Sequence, residues 1–309
     1  MGAPPQVVEK SRFDGWKTHA ALLAVQVAFA SQAVESKLAM MPRALGGEGI
    51  APQAVAMVRM LGALVFFQGW SFAKKMPRPS LADHARLAGL SLLGIVVNQM
   101  LFLAGLARTT PTTAALLSVI IPVATAALSI VFRKEAFSGR TVLGLLVAGS
   151  GVVTLTGFRN VDRGALLITV NCFCYAAYLV FSRDVIRRLG AFTVVTWIFT
   201  WGAVLFAPMG LMPLVRAVPE LTTRGTLFVV YVVLVPTILA YLLNAWALGK
   251  SNPTLVTVYV HLQPVLAALL AYFQLGHPVS ATMGLAALLI TCGVVVVSTR
   301  RTVRTPLRA

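Results

Sequence analysis

The sequence predicts an all-α integral membrane protein of ten transmembrane helices, arranged as two inverted five-helix repeats. Three observations predict it. The 309-residue chain is 58% hydrophobic and 11% charged, with a mean hydropathy of +0.84, whereas a soluble domain carries about 25% charged residues. Apolar runs such as 87–107 and 253–275 have the length needed to cross a hydrocarbon core, about 17–25 residues. Finally, the stretch from Ala104 to Thr156 recurs without a gap from Trp246 to Ser298: Pro111 aligns with Pro253, Pro122 with Pro264, Ser138 with Ser280, and Gly151-Val152-Val153 with Gly293-Val294-Val295. Self-similarity at a fixed interval marks a duplicated unit. A unit of five spans is odd, so its second copy enters the bilayer upside down.

The elements follow in order. The polar leader Met1 to Lys17 precedes an apolar run too long for a signal-peptide core, so a first span at 18–40 is expected to be retained. Leu45-Gly46-Gly47-Glu48-Gly49 separates it from 51–73, and Met76-Pro77-Arg78-Pro79 separates that from 87–107. Thr110 and Pro111 open the fourth span, 111–132, by placing a side-chain oxygen at the N-cap and a proline at the first helical position. A Gly-rich fifth span, 141–158, closes the first repeat. The second repeat reads 164–182, 190–212, 226–248, 253–275, which opens on Asn252-Pro253, and 279–298 after Gly276-His277-Pro278. The two halves are 1–157 and 158–309. Within them Pro122 and Pro264 free the carbonyls of Ser118 and Val260 four residues earlier, either as kinks that only improve packing or as hinges or polar lining at the midplane.

A net charge of +17 would suggest nucleic acid if it lay on a folded soluble face. Here it lies between the apolar runs. Most of the 26 Lys and Arg fall in alternate loops, among them Lys74, Lys75, Arg133, Lys134, Arg187, Arg188, Arg300 and Arg301. Basic loops resist translocation, which puts both termini in the cytoplasm and excludes nucleic acid as a partner. Cys172, Cys174 and Cys292 all fall inside spans, where neither a disulfide framework nor a metal set is expected.

The doubled openings Pro111-Thr112 and Pro253-Thr254, the prolines Pro122 and Pro264, Arg59 early in the second span, and Glu135 with Ser138 before the Gly-rich fifth span together resemble the drug/metabolite transporter superfamily, in particular its EamA-type members. The resemblance covers nearly the whole chain. It implies ten helices as two inverted repeats, a central cavity, and export of small metabolites such as amino acids across a cell inner membrane. One departure is that His277 stands where the first repeat has Glu135.

Polar groups at depth mark the candidate cavity, because a charge within a span needs a partner or water. Glu35 and Arg59 are expected at similar depth, either as a structural ion pair or as a substrate- or proton-linked site. His261, one turn before Pro264, reads as a satisfied neutral imidazole or as a proton-responsive lining residue. Asn171, Tyr175 and Tyr178 fall on one helical face that Ser182 extends. Asn98 adjoins Gln99, and Tyr241 shares a face with Asn244. Trp201, four residues after Trp197, either packs toward lipid or stacks on a substrate.

No GxxxxGK[ST], HExxH or GxSxG motif is present. An enzyme is therefore not expected, and neither is a cofactor or metal. The expected partners are a small-molecule substrate and the lipid bilayer, with proton coupling through Glu35 or His261, in a monomer or homodimer. The function read from the chain is a secondary transporter working by alternating access. Its rivals are a lipid or sugar-lipid flippase of the same fold and a non-transporting membrane receptor.

Overall fold

The computed structural model describes residues 12–118, 120–132, 162–250, 259–276 and 280–298, with isolated positions between 139 and 154. Every regular element among them is helical. α1 is Arg12–Met40, α2 Pro52–Ala73, α3 Leu81–Arg108, α4 Pro111–Val131, α5 Arg163–Leu189 and α6 Ala191–Ala217. α7 covers 223–250, α8 is Gln263–Leu275 and α9 is Ala281–Ser298. The expected fifth span lies mostly outside the described residues, as do Glu135, Ser138, Pro253 and His277.

Six of these helices, α2 to α7, are long and apolar enough to cross a bilayer, and α8 and α9 are shorter apolar helices. Large side chains such as Val65, Phe72, Leu227, Phe273 and Leu288 point outward and are exposed. Large side chains such as Phe67, Phe199 and Phe206 fill the interior, and small residues mark close helix crossings. Ala30, Ala115 and Ala267 meet where α1, α4 and α8 cross, as expected when close backbone approach, and not a hydrophobic driving force, holds helices together in lipid. The chain is a multi-pass membrane protein.

Side-chain caps set the helix starts. Thr110 accepts from the Thr113 N–H at 3.1 Å, the cap expected before Pro111. Ser80, Asp162 and Thr222 do the same for α3, α5 and α7. α3 runs along α5 and α2 along α6. At the α3–α5 crossing a Cβ on Gly105 would lie 2.8 Å from the Gly164 carbonyl oxygen, so only glycine fits there.

Helix interruptions lie beside both prolines. α4 stops at Ser118 and restarts at Ile121 with Pro122 in its first turn. α8 begins at Gln263 after a 3-10 turn, Val260–Leu262, with Pro264 again in its first turn. Each proline thus follows directly on an interruption of the regular helix. Each sits where its missing N–H costs nothing, because the first four amides of a helix have no intrahelical acceptor. A second paired irregularity lies upstream: α3 carries a π turn at Leu92–Val96 and α7 one at Leu234–Leu239. Leu92 and Leu234 stand as far apart in sequence as Pro122 and Pro264, and so do the two restarts.

The hydrogen bonds also fix helix direction. One end of the bundle collects the C-termini of α1 and α3 and the N-termini of α4, α5 and α7. There Lys37 Nζ donates to the carbonyls of Leu106, Ala107 and Thr109 at 2.9, 3.0 and 2.8 Å, satisfying the last turn of α3. Thr109 donates to Asp162, and Thr222 to Glu48, at 2.8 and 2.6 Å. α8 arrives at this end: Tyr259 just ahead of it meets His19 near the start of α1, and Gln274 in its last turn meets Glu35. α3 and α7 therefore run in opposite directions, and so do α4 and α8.

Candidate functional site

The strongest feature of the interior is a cation that pairs with no carboxylate among the described residues. Arg59 on α2 is 2% exposed. Its Nε donates to Thr237 Oγ1 at 2.8 Å, its Nη1 to Gln99 Oε1 at 2.6 Å and its Nη2 to Gln32 Oε1 at 3.1 Å. Four helices, α1, α2, α3 and α7, converge on one guanidinium. Among the described residues the ion pairs are Arg43–Glu220 and Arg188–Asp83, and Arg59 belongs to neither. Placing Arg in the middle of a span costs about 2.5–3.5 kcal/mol on insertion scales. Three hydrogen bonds to a charged donor, about 1.5–3 kcal/mol each, offset that cost. They leave the positive charge in place.

Local sequence explains the Thr237 arm. Pro236 has no N–H, so the Val232 carbonyl loses its partner four residues on. Thr237 Oγ1 donates to that carbonyl at 2.8 Å while accepting from Arg59. The π turn in α7 is thus the means by which a hydroxyl is presented to the guanidinium, and Thr237 is fully buried.

An aromatic cluster adjoins the knot through Tyr241. Tyr241 is an electrostatic neighbour of Arg59 and of Tyr175 and Tyr178. Its ring meets Phe199 edge-on at 4.9 Å and Phe29 at 6.0 Å. Tyr175 and Tyr178 lie 5.7 Å apart on α5. Tyr178 fills the space over Gly94 in the α3 π turn, where a Cβ would come within 2.6 Å of the ring. Asn171 Nδ2 donates to the Asn98 carbonyl at 2.7 Å, joining α5 to α3 beside Gln99. Ser36, one turn beyond Gln32 on the same face of α1, is fully buried, and its hydroxyl has no partner among the described residues.

The structure therefore gathers Arg59, Tyr241, Tyr175 and Tyr178 of the ten sequence-derived candidates, while Asn171 bonds the Asn98 main-chain carbonyl next to Gln99. Glu35 is not in the knot. Its side chain hydrogen-bonds Gln274 and faces Arg224, so no Glu35–Arg59 pair forms. Gln32, one turn back, takes the place the carboxylate was expected to fill. Trp201 turns toward His84, its Nε1 3.4 Å from His84 Nδ1, with the Trp197 ring 4.3 Å from the same imidazole. Neither the lipid-facing nor the stacking expectation anticipated that partner. Asn244 is half-buried on the face of α7 that carries Tyr241. His261 lies in the 3-10 turn before α8, and its side chain is outside the described set. Sequence reasoning missed Gln32 and Thr237. A signal existed for Thr237, since it directly follows a proline inside an apolar span.

Both ends of the bundle are clasped across the two halves. At the Lys37 end, Glu48 accepts from Thr222, and Arg224 donates to the Gly46 carbonyl at 3.2 Å. At the other end Arg188 in the last turn of α5 holds Asp83 in a two-pronged contact, one arm at 3.1 Å, and the carboxylate holds the guanidinium above its ordinary pKa. A 550 Å³ cavity lined by Lys37, Arg108, Thr110 and Asp162 opens at the first end.

The chain is 26% identical over 236 residues to an uncharacterized transporter, YdfC, of Bacillus subtilis, covering 75% of this chain and 77% of that protein. It is 24% identical to an uncharacterized transporter of Archaeoglobus fulgidus over 84% of this chain and 90% of that one. It is 22% identical to the protein WALLS ARE THIN 1 of Arabidopsis thaliana, over 84% and 76%. One solved structure superposes with a TM-score of 0.62 at 17% identity, covering 94% of this chain and all of its own, which speaks to the fold alone. The model of the EamA-like transporter family matches twice, at residues 17–157 and 162–299, once over each half, and the chain belongs to that family.

Proposed function

We propose that the protein is a secondary transporter that exports small organic metabolites, amino acids among them, across the cell inner membrane by alternating access. The observation that carries this reading is the Arg59 knot: a buried cation, paired with no carboxylate among the described residues, held by helices from both halves of an otherwise apolar bundle. Buried ionisable groups in a membrane mark pathways by default, and broken helices beside them are typical of transporter binding sites. The two halves, 1–157 and 158–309, are read as inverted five-helix repeats. Support comes from the aligned restarts at Ile121 and Gln263, the aligned π turns, and the opposed directions of α3 and α7 and of α4 and α8. The halves rock about the knot while the Glu48–Thr222 and Asp83–Arg188 clasps open in alternation. Both termini are placed in the cytoplasm, and Glu35 or His261 carries the coupled proton.

The test is flux of a metabolite panel in inverted vesicles, with and without the protein. Accumulation of at least one metabolite that depends on the protein and on a proton gradient is expected. Uptake indifferent to the protein for the whole panel overturns transport, and a wild-type rate flat with pH overturns the proton.

A flippase of the same fold is the second reading. One observation favours it: a 350 Å³ apolar groove between α1 and α7, lined by Ala20, Leu23, Ala24, Val27, Tyr231 and Leu239. Its rim residues Leu23, Val27 and Leu239 are exposed. Protein-dependent scrambling of a fluorescent lipid in the same vesicles, without metabolite flux, supports that reading over the first.

A further inference from the structure

We propose that Arg59 is the receptor for a carboxylate on the transported molecule, which makes the site selective for small organic monocarboxylates over neutral and doubly charged compounds. The inference rests on the transport reading for its biological meaning and on four structural facts for its chemistry.

First, the guanidinium is used below capacity. It has five N–H donors, and three are engaged, one from each nitrogen. Nη1 and Nη2 each keep one, and a carboxylate can accept from two guanidinium nitrogens at once. Second, all three protein partners are neutral oxygens, so the site holds one uncompensated positive charge, and a single carboxylate cancels it. Inorganic phosphate at neutral pH is a mixture of singly and doubly charged forms, and the doubly charged form would overshoot. No second cation touches the knot among the described residues: Lys37 is spent on three carbonyls, and Arg224 faces Glu35 and Gly46. Third, Ser36 offers a buried hydroxyl without a partner, one turn from the Gln32 that holds Nη2. That hydroxyl is a donor waiting for an acceptor. Fourth, Tyr241 lies beside the cation and joins it to the rings of Phe199, Tyr175 and Tyr178, an aromatic surface suited to the organic body of the ligand.

A purely structural Arg59 would staple four helices and care little about ligands. The two roles separate in a binding experiment on the full-length protein in detergent. The probes are carboxylates paired with their own amides: acetate with acetamide, 4-methylpentanoate with 4-methylpentanamide, phenylacetate with phenylacetamide, and L-leucine with L-leucinamide, plus inorganic phosphate. Thermal stabilisation is measured for wild type, Arg59→Lys, Arg59→Gln and the exposed control Arg216→Gln.

At least one carboxylate is expected to stabilise wild type and the control with an affinity tenfold or more above its amide. Arg59→Lys should keep that preference more weakly, and Arg59→Gln should lose it. If Arg59→Gln does not fold, the preference of the wild type and its weakening in Arg59→Lys decide the matter. Amides binding as well as carboxylates throughout the panel, no carboxylate binding at all, phosphate binding in their place, or an undiminished preference in Arg59→Gln each overturn the proposal. Failure here is distinct from failure of transport. Carboxylate binding without any flux leaves the site standing and removes the transporter, whereas flux of neutral compounds untouched by Arg59→Lys does the reverse.

Discussion

Arg59 does its structural work through neutral atoms, and that choice sets what its neighbours are worth. Thr237 is doubly used, accepting from Arg59 Nε and donating to the Val232 carbonyl. Thr237→Val keeps the shape and removes both bonds, leaving a donor and an acceptor buried. Polar contacts in membrane bundles average about 0.6 kcal/mol and reach about 1.7 kcal/mol. The variant is therefore expected to lose roughly 1–2 kcal/mol of stability in reversible unfolding from detergent micelles, with binding weakened as well. Unchanged stability would show that the hydroxyl faces water, not the guanidinium. Gly164→Val makes the opposite kind of change. A Cβ there would sit 2.7 Å from the Gly105 oxygen, and overpacking of this kind costs about 1–3 kcal/mol, read as a lower melting temperature at unchanged ligand preference.

At the scale of the element, the irregular helices carry the account. Pro236 deprives Val232 of a donor, the helix widens into a π turn, and Thr237 is delivered to the site. Pro236→Ala returns the N–H and removes the reason for the turn. It is expected to leave stability equal or higher while reducing flux severalfold, because the helix tightens and the hydroxyl is withdrawn. A variant with wild-type flux would make the π turn a packing accident. Here lies the main difference between sequence and structure. Helix positions were legible because span length and loop chemistry are local: the expected 51–73 is observed as Pro52–Ala73, and Thr110 caps α4 as its hydroxyl suggested. The proline pair at 122 and 264 was legible as a repeat, and each proline lies at a helix interruption. A proline inside an apolar run signals an interruption but does not say whether the helix bends or restarts, and that depends on how the residues before it are packed. The site was half legible. Arg59 stands out in any apolar span, but which side chain answers it depends on helix rotation, and a turn's difference on α1 exchanged Glu35 for Gln32.

For the whole molecule, the clasps and the repeat make one connected claim. Glu48–Thr222 and Asp83–Arg188 tie opposite ends of the bundle across the two halves, so breaking one should bias which end opens. Asp83→Asn is expected to raise labelling of a cysteine placed at Ser182 by a reagent supplied on the Asp83 side, with little effect from the opposite side; equal labelling from both sides would remove the clasp from the cycle. Beneath that lies the inversion itself. The most direct measurement is the sidedness of Arg108 and Lys250, which close α3 and α7 and occupy corresponding places in the duplicated sequence. Each is replaced in turn by cysteine and exposed to a membrane-impermeant thiol reagent in intact cells and in inverted vesicles, on a background with the three native cysteines removed. The account predicts that position 108 reacts in intact cells and position 250 only in inverted vesicles. Reaction of both from the same side would contradict it.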